Sequence, residues 1–160
     1  LDRRIAEITI ESKTKQVVNV NFRGNPLRFR CQRCAVFCCK LGGPRLTARD
    51  VERLSQAGYD SDIFLDDRQT SLKSGKDGSC IFLSFNAKEG LYQCSVYDYR
   101  PTFCRLYPFQ LEKSGLRTCA LKFIPCCNGL NTEDGEGVNE KFFGKFLQKI
   151  LLDLMDSDAI

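Results

Sequence analysis

The chain has 160 residues, with 24 Lys and Arg against 20 Asp and Glu, ten cysteines and no histidine. Its length suits one domain with a modest core, and 42% hydrophobic residues exclude an intrinsically disordered chain. The missing histidine excludes Ser-His and Cys-His catalysis, a Cys2His2 zinc site and an imidazole base, so a bound metal is held by sulfur, helped at most by carboxylates.

Residues 4–11 and 15–23 are rich in Ile, Val and Thr. Val18, Val20 and Phe22 alternate with Asn19 and Asn21, which predicts two strands joined near residues 12–14. Gly24-Asn25-Pro26 ends the second strand. The stretch CQRCAVFCCK then places cysteines at 31, 34, 38 and 39, and Gly42-Gly43-Pro44 closes it as a turn. Thr47 with Asp50 forms a capping-box pattern. Val51, Leu54 and Ala57 share one face and Gly58 supplies a stop, so a helix is expected from residue 48 to about residue 57. Residues 60–79 are polar and read as a loop. CIFLSFN and LYQCSVY flank AKEG as a β-hairpin.

Pro101 and Pro108 bound one or two helical turns in DYRPTFCRLYPF. FQLEKSGLRTCALKF reads as a second hairpin turning at residues 113–115, and residues 125–137 are turn-rich and acidic. Residues 138–156 form the clearest helix. Phe142, Phe143, Phe146, Leu147, Ile150, Leu151 and Leu154 recur at three- and four-residue steps, a stripe that packs a core or docks a partner helix.

The expected architecture is a single small α+β metal-binding domain over residues 1–160. Short hairpins, a few short helices and a C-terminal amphipathic helix surround one or two metal sites. No apolar run approaches the ~18 residues of a membrane helix. The N-terminal residues lack a secretory pattern, so a cytoplasmic location is expected.

Residues 1–49 carry 11 Lys/Arg against 3 Asp/Glu, a net of +8; residues 50–160 carry 13 against 17, a net of −4. The basic third reads as a solvated face, as a surface for a protein partner or, less favoured, as one for nucleic acid. In the last case Arg23, Arg28, Arg30 and Arg33 would track phosphates while Phe22 and Phe29 stack on bases.

The ten cysteines stand at 31, 34, 38, 39, 80, 94, 104, 119, 126 and 127. An even count permits a disulfide framework, but secreted scaffolds of that kind are shorter and denser in cysteine. Cys-x2-Cys turns two sulfurs toward one ion, and four thiolates satisfy zinc or an iron–sulfur cluster alike, so metal is the preferred reading. Side chains of adjacent cysteines diverge, which predicts that Cys38 and Cys39 serve two sites or leave one spare.

The motifs resemble the YkgJ-type cysteine-cluster family of zinc- or iron-chelating domains. The resemblance rests on Phe29, Cys31, Cys34 and the Cys38-Cys39 pair, on CIFL from Cys80, on CSVYDYRPTFCRLYP from Cys94 to Pro108, and on Cys127-Asn128-Gly129. It covers residues 29–130, the cysteine-cluster module. It implies a ligand set of Cys31, Cys34, Cys38, Cys39, Cys80, Cys94, Cys104 and Cys127. The chain departs from the pattern in the Ala35-Val36-Phe37 gap, which lacks glycine, in the late motif, which more often reads Cys-Pro-Gly, and in the additional Cys119 and Cys126.

A related module in flagellin lysine N-methylases is associated with an iron–sulfur cluster, which implies iron–sulfur, of the 4Fe-4S kind, ahead of Zn2+. Arg100 and Arg105 are candidate cofactor-binding residues whose guanidinium groups would offset thiolate charge; the alternative is that they hold the turn through backbone carbonyls. Tyr97 and Tyr107 read as packing residues.

Three functions follow. The first is a metal protein acting as an accessory, redox or structural subunit. The second is a component of a metal-dependent group-transfer enzyme resembling the methylase. The third is a zinc-stabilised nucleic-acid-binding module. The chain shows no Gly-rich nucleotide loop after a strand, which weighs against independent catalysis.

Overall fold

The computed structural model describes residues 3–24 and 27–160. The Asn25-Pro26 part of the expected turn lies outside the described residues. Strands β1 (Arg4–Ile10), β2 (Val17–Phe22) and β3 (Arg28–Phe29) lead the chain. Helices α1 (Phe37–Lys40), α2 (Ala48–Gln56) and α3 (Ser61–Phe64) follow, then strands β4 (Leu83–Asn86) and β5 (Leu91–Cys94), then helix α4 (Thr102–Leu106). Strands β6 (Phe109–Lys113), β7 (Thr118–Phe123) and β8 (Glu136–Gly137) precede a helical run made of α5 (Glu140–Phe142), a π turn (Phe143–Leu147) and α6 (Gln148–Asp156). The composition is α+β, and the expected hairpins and C-terminal helix are present. The chain divides into two compact units, residues 1–31 with 106–160, and residues 32–105.

The first unit is built on an antiparallel sheet of order β2-β1-β7-β6. β1 is central, and its period-two pattern buries Ala6, Ile8 and Ile10 on one face. Ile8 stands opposite Val20 on one side and Cys119 on the other. β3 pairs with β8, a two-residue contact too short to carry a periodic signal. Phe29 of β3 meets Phe109 edge-on at 5.3 Å and Phe142 at 6.3 Å.

Asn139 caps the C-terminal run, its Oδ1 accepting the Phe142 N–H at 3.1 Å. Phe142, Phe143, Leu147, Ile150, Leu151 and Leu154 are buried, as their spacing predicts. Phe146 is not; it is 43% exposed. The π turn inserts one residue into the helical repeat, so Leu147 takes the inward position and Phe146 rotates out, where it rests on Phe142 with ring centroids 4.9 Å apart.

The second unit has its own core of Ala35, Cys39, Leu54, Phe64, Leu72, Cys80 and Val96. α2 starts with the predicted capping box: Thr47 Oγ1 accepts the Asp50 N–H at 3.1 Å, and Asp50 Oδ2 accepts the Thr47 N–H at 3.0 Å. Residues 60–79 are more ordered than the expected loop. Asp60 caps α3, Asp66 Oδ1 accepts the N–H groups of Thr70 and Ser71, and bridges join Leu65 to Leu72 and Ser74 to Cys80. Local side-chain acceptors satisfy this polar backbone while Phe64 and Leu72 enter the core. Gly43 is required by packing, since a Cβ there would stand 1.9 Å from the Leu72 carbonyl oxygen.

Candidate metal centre

All ten cysteines are unbonded thiols. Five of them share the second unit's core region. Cys38 and Cys39 lie on α1, Cys80 bridges Ser74 just before β4, Cys94 ends β5, and Cys104 sits within α4. The Cys39 carbonyl accepts the Cys80 N–H at 2.7 Å, which ties α1 to the β4–β5 hairpin. Hairpin register places Cys94 opposite Leu83, three residues after Cys80.

The adjacent pair converges, contrary to the expectation that it would diverge: Sγ of Cys38 and Sγ of Cys39 are 4.0 Å apart. Sulfurs around one tetrahedral ion with bonds of ~2.3 Å stand about 3.8 Å apart, so this pair is spaced for one site. The four-residue α1 makes this possible by turning consecutive side chains toward the same core.

Cys39 also hydrogen-bonds Cys94, and it stays protonated between its two neighbours, its pKa raised. Their sulfurs accept from it, which lowers both the Cys38 and the Cys94 thiol pKa, with Arg100 adding a favourable charge. Burial pushes Cys80 up, against a hydrogen bond from the Phe82 N–H. Burial also pushes Cys104 up, assisted by the nearby Cys80, Cys38 and Cys94. Two thiols of the group are therefore shifted toward the thiolate and three toward the protonated form.

Backbone donors meet sulfur by a repeated device. The N–H two residues on faces Sγ at Cys80 (from Phe82), at Cys94 (from Val96) and at Cys127 (from Gly129, 3.4 Å). Such N–H···S contacts stabilise a metal-bound thiolate. Among the described residues no three Cys, Asp or Glu side chains already surround a common point as a metal requires. The thiols hydrogen-bond one another instead, and loading a metal replaces those contacts with metal–sulfur bonds and releases protons. The donor set, all sulfur and largely buried, fits a soft cation or an iron–sulfur cluster.

Arg100 lies near the thiols and holds the turn through a backbone carbonyl. Its charge acts on Cys38, Cys94 and Cys104, while its Nε donates to the Tyr97 carbonyl at 3.1 Å and its guanidinium lies 3.9 Å from the Tyr97 ring centre. Arg33 lies over the same ring at 4.1 Å, so Tyr97 is a platform for two cations as well as a packing residue. Arg105 Nη2 donates to Thr102 Oγ1 at 3.2 Å.

The remaining predicted ligands divide between the two units. Cys34, half-buried, belongs to the same unit as the group of five, whereas Cys31, exposed, and Cys127, half-buried, belong to the other. There the Arg30 N–H donates to the Gly129 carbonyl at 3.0 Å, so the backbone beside Cys31 pairs with the backbone after Cys127. Cys119 is buried in β7 and Cys126 is exposed.

The basic residues nominated for nucleic acid make contacts within their own unit. Arg28 donates to the carbonyls of Glu133 and Gly135, Arg30 pairs with Asp134 at 3.5 Å, and Arg23 pairs with Glu7 at 3.9 Å. No helix of the described residues is long and apolar enough to cross a membrane.

Sequence reasoning assigned Asp50 to the α2 cap alone. Asp50 is 1% exposed, and its Oδ1 also accepts from the Thr102 N–H at 3.0 Å, the Thr102 hydroxyl at 2.8 Å and Arg53 Nη2 at 3.0 Å. The capping box was visible, but a partner 52 residues away leaves no local signal.

Comparison with known proteins agrees with this chemistry. An uncharacterized protein of Methanocaldococcus jannaschii is 30% identical over 140 residues, covering 79% of this chain and 70% of that protein. No solved structure matches the chain. The CxxCxxCC pattern of zinc- or iron-chelating domains matches residues 30–122, and the chain belongs to that family.

Proposed function

We propose that the chain binds an iron–sulfur cluster, in preference to zinc, and serves as an accessory, redox or structural subunit in a reducing compartment. The observation that carries this is the gathering of Cys38, Cys39, Cys80, Cys94 and Cys104 near one another, with backbone N–H donors at the sulfurs and the Arg100 charge nearby. Four of the five suffice for one cluster or one zinc ion, and Cys31, Cys34 and Cys127 complete the candidate set of eight. Hydrogen bonds to sulfur and burial tune a cluster's potential, which favours a redox role. The likeness to the lysine N-methylase module favours iron over zinc.

Group transfer by this chain alone is not favoured, because Gly43 packs on Leu72 and Gly42 against Ser74 and Gly78 rather than forming a phosphate loop. Nucleic-acid binding is not favoured either, because Arg23, Arg28 and Arg30 already meet acceptors. The docking face for a protein partner is the basic N-terminal third or the outer side of the C-terminal helix, since that helix's apolar stripe is buried.

The test is anaerobic purification with an absorbance spectrum and elemental analysis. A brown protein with broad absorption near ~400 nm and stoichiometric iron supports the reading. A colourless protein with stoichiometric zinc replaces the cluster by a structural ion, and a metal-free protein with oxidised thiols overturns metal binding altogether.

A further inference from the structure

Helix α4 carries Cys104, and its first residue, Thr102, is held from α2, as is Arg100 just before it. Asp50 Oδ1 accepts both the backbone N–H and the hydroxyl of Thr102. Arg53 Nη2 bridges Asp50 Oδ1 at 3.0 Å and the Arg100 carbonyl at 2.7 Å. The Thr102 hydroxyl in turn accepts from Arg105 Nη2. Thr102, like Asp50, is 1% exposed, so the two Asp50–Thr102 bonds lie out of water, where each has few competitors. One buried carboxylate therefore anchors both ends of the turn that carries Arg100, whose charge acts on Cys38 and Cys94, and leads into Cys104, on which both of those cysteines act.

A cap alone does not require this arrangement. The capping box uses Asp50 Oδ2 and the Asp50 N–H, and Oδ1 is left for the distant segment. The division of labour between the two oxygens separates stabilising α2 from placing α4.

We infer that Asp50, acting through Thr102 and Arg53, is the positioning residue of the metal centre: it sets the placement of Cys104 and Arg100 and hence the site's hold on its metal. The inference rests on the metal-binding reading above. Removing an outer partner of a metal ligand typically weakens metal affinity by about 10- to 100-fold.

The test uses the full chain, reduced and metal-free, titrated with cobalt(II) as a coloured probe of thiolate coordination. Asp50→Asn, Thr102→Val and Thr102→Ser are compared with the wild type. Thr102→Val removes the hydroxyl far from the α2 cap and decides the matter if Asp50→Asn does not fold.

Both Asp50→Asn and Thr102→Val are expected to bind cobalt at least about tenfold more weakly in chelator competition. Each should also lose roughly a quarter of the thiolate-to-cobalt charge-transfer intensity, one sulfur of four. Thr102→Ser, which keeps the hydroxyl, should match the wild type. Variants with lowered thermal stability but wild-type cobalt affinity and intensity overturn the inference and leave Asp50 a structural anchor. A wild type that takes up no cobalt, zinc or iron removes the metal reading and this inference with it.

Discussion

Gly129 follows Cys127 by two residues, and replacing it with alanine tests why the late cysteine motif carries a glycine. A Cβ at position 129 meets the Arg30 carbonyl oxygen at 2.3 Å, the Arg30 carbonyl carbon at 3.1 Å and Phe29 Cε2 at 3.0 Å. Two of these are backbone atoms, so no rotamer change relieves the overlap. The two segments must part by about 1 Å to regain ordinary van der Waals separation.

Three hydrogen bonds zip them together: Arg30 N–H to Gly129 O at 3.0 Å, Asn131 N–H to Arg28 O at 2.7 Å, and Arg28 N–H to Asn131 Oδ1 at 3.2 Å. At about 1 kcal/mol net each, their loss costs roughly 3 kcal/mol. Alanine's smaller unfolded-state entropy offsets about 0.4–1 kcal/mol, which leaves a destabilisation of about 2–2.5 kcal/mol. Urea unfolding followed by circular dichroism measures it. Gly144→Ala is the control: it stands in open space in the π turn, and alanine there should be neutral or stabilising by up to about 1 kcal/mol. A Gly129→Ala loss below about 0.5 kcal/mol would refute the close-approach argument.

Phe142→Ala removes a buried ring that contacts Phe29, Phe109 and Phe146; a loss of about 3–5 kcal/mol is expected in the same unfolding assay, and a loss near 1 kcal/mol would contradict the packing. Metal affinity should rise with pH. If the five clustered cysteines supply four ligands, at least two come from the protonated Cys39, Cys80 and Cys104, so zinc competition against a chelator should strengthen by about two decades per pH unit near neutrality, and a flat profile rules this out.

The metal-free protein should be most stable near the ordinary thiol value of about pH 8.5. The lowered Cys38 and Cys94 contribute stability above that value and lose it as pH falls. The raised Cys39, Cys80 and Cys104 contribute below it and lose it as pH rises. Thermal unfolding across pH in a reducing buffer checks this, and a melting temperature that keeps climbing to pH 10 contradicts it.

Local chemistry determined much of the chain. The strand around Val18–Phe22, the Thr47–Asp50 cap and the AKEG turn each depend on residues a few positions apart, and each appears where its pattern places it, except that a register shift beside Val18 leaves that side chain 65% exposed. The metal class was legible in the same way, since ten cysteines without histidine permit few other donors.

Tertiary structure decided the rest. It brought the sulfurs of Cys38 and Cys39 toward one another, inserted a π turn that sent Phe146 outward, and joined β3 to β8 across 107 residues. It also brought Cys38, Cys39, Cys80, Cys94 and Cys104 near one another and gave Asp50 its partners in the Arg100–Arg105 turn. These outcomes rest on hydrogen bonds and buried contacts between distant segments. Their free energy depends on which groups the folded chain removes from water together, and no local window of residues contains that information.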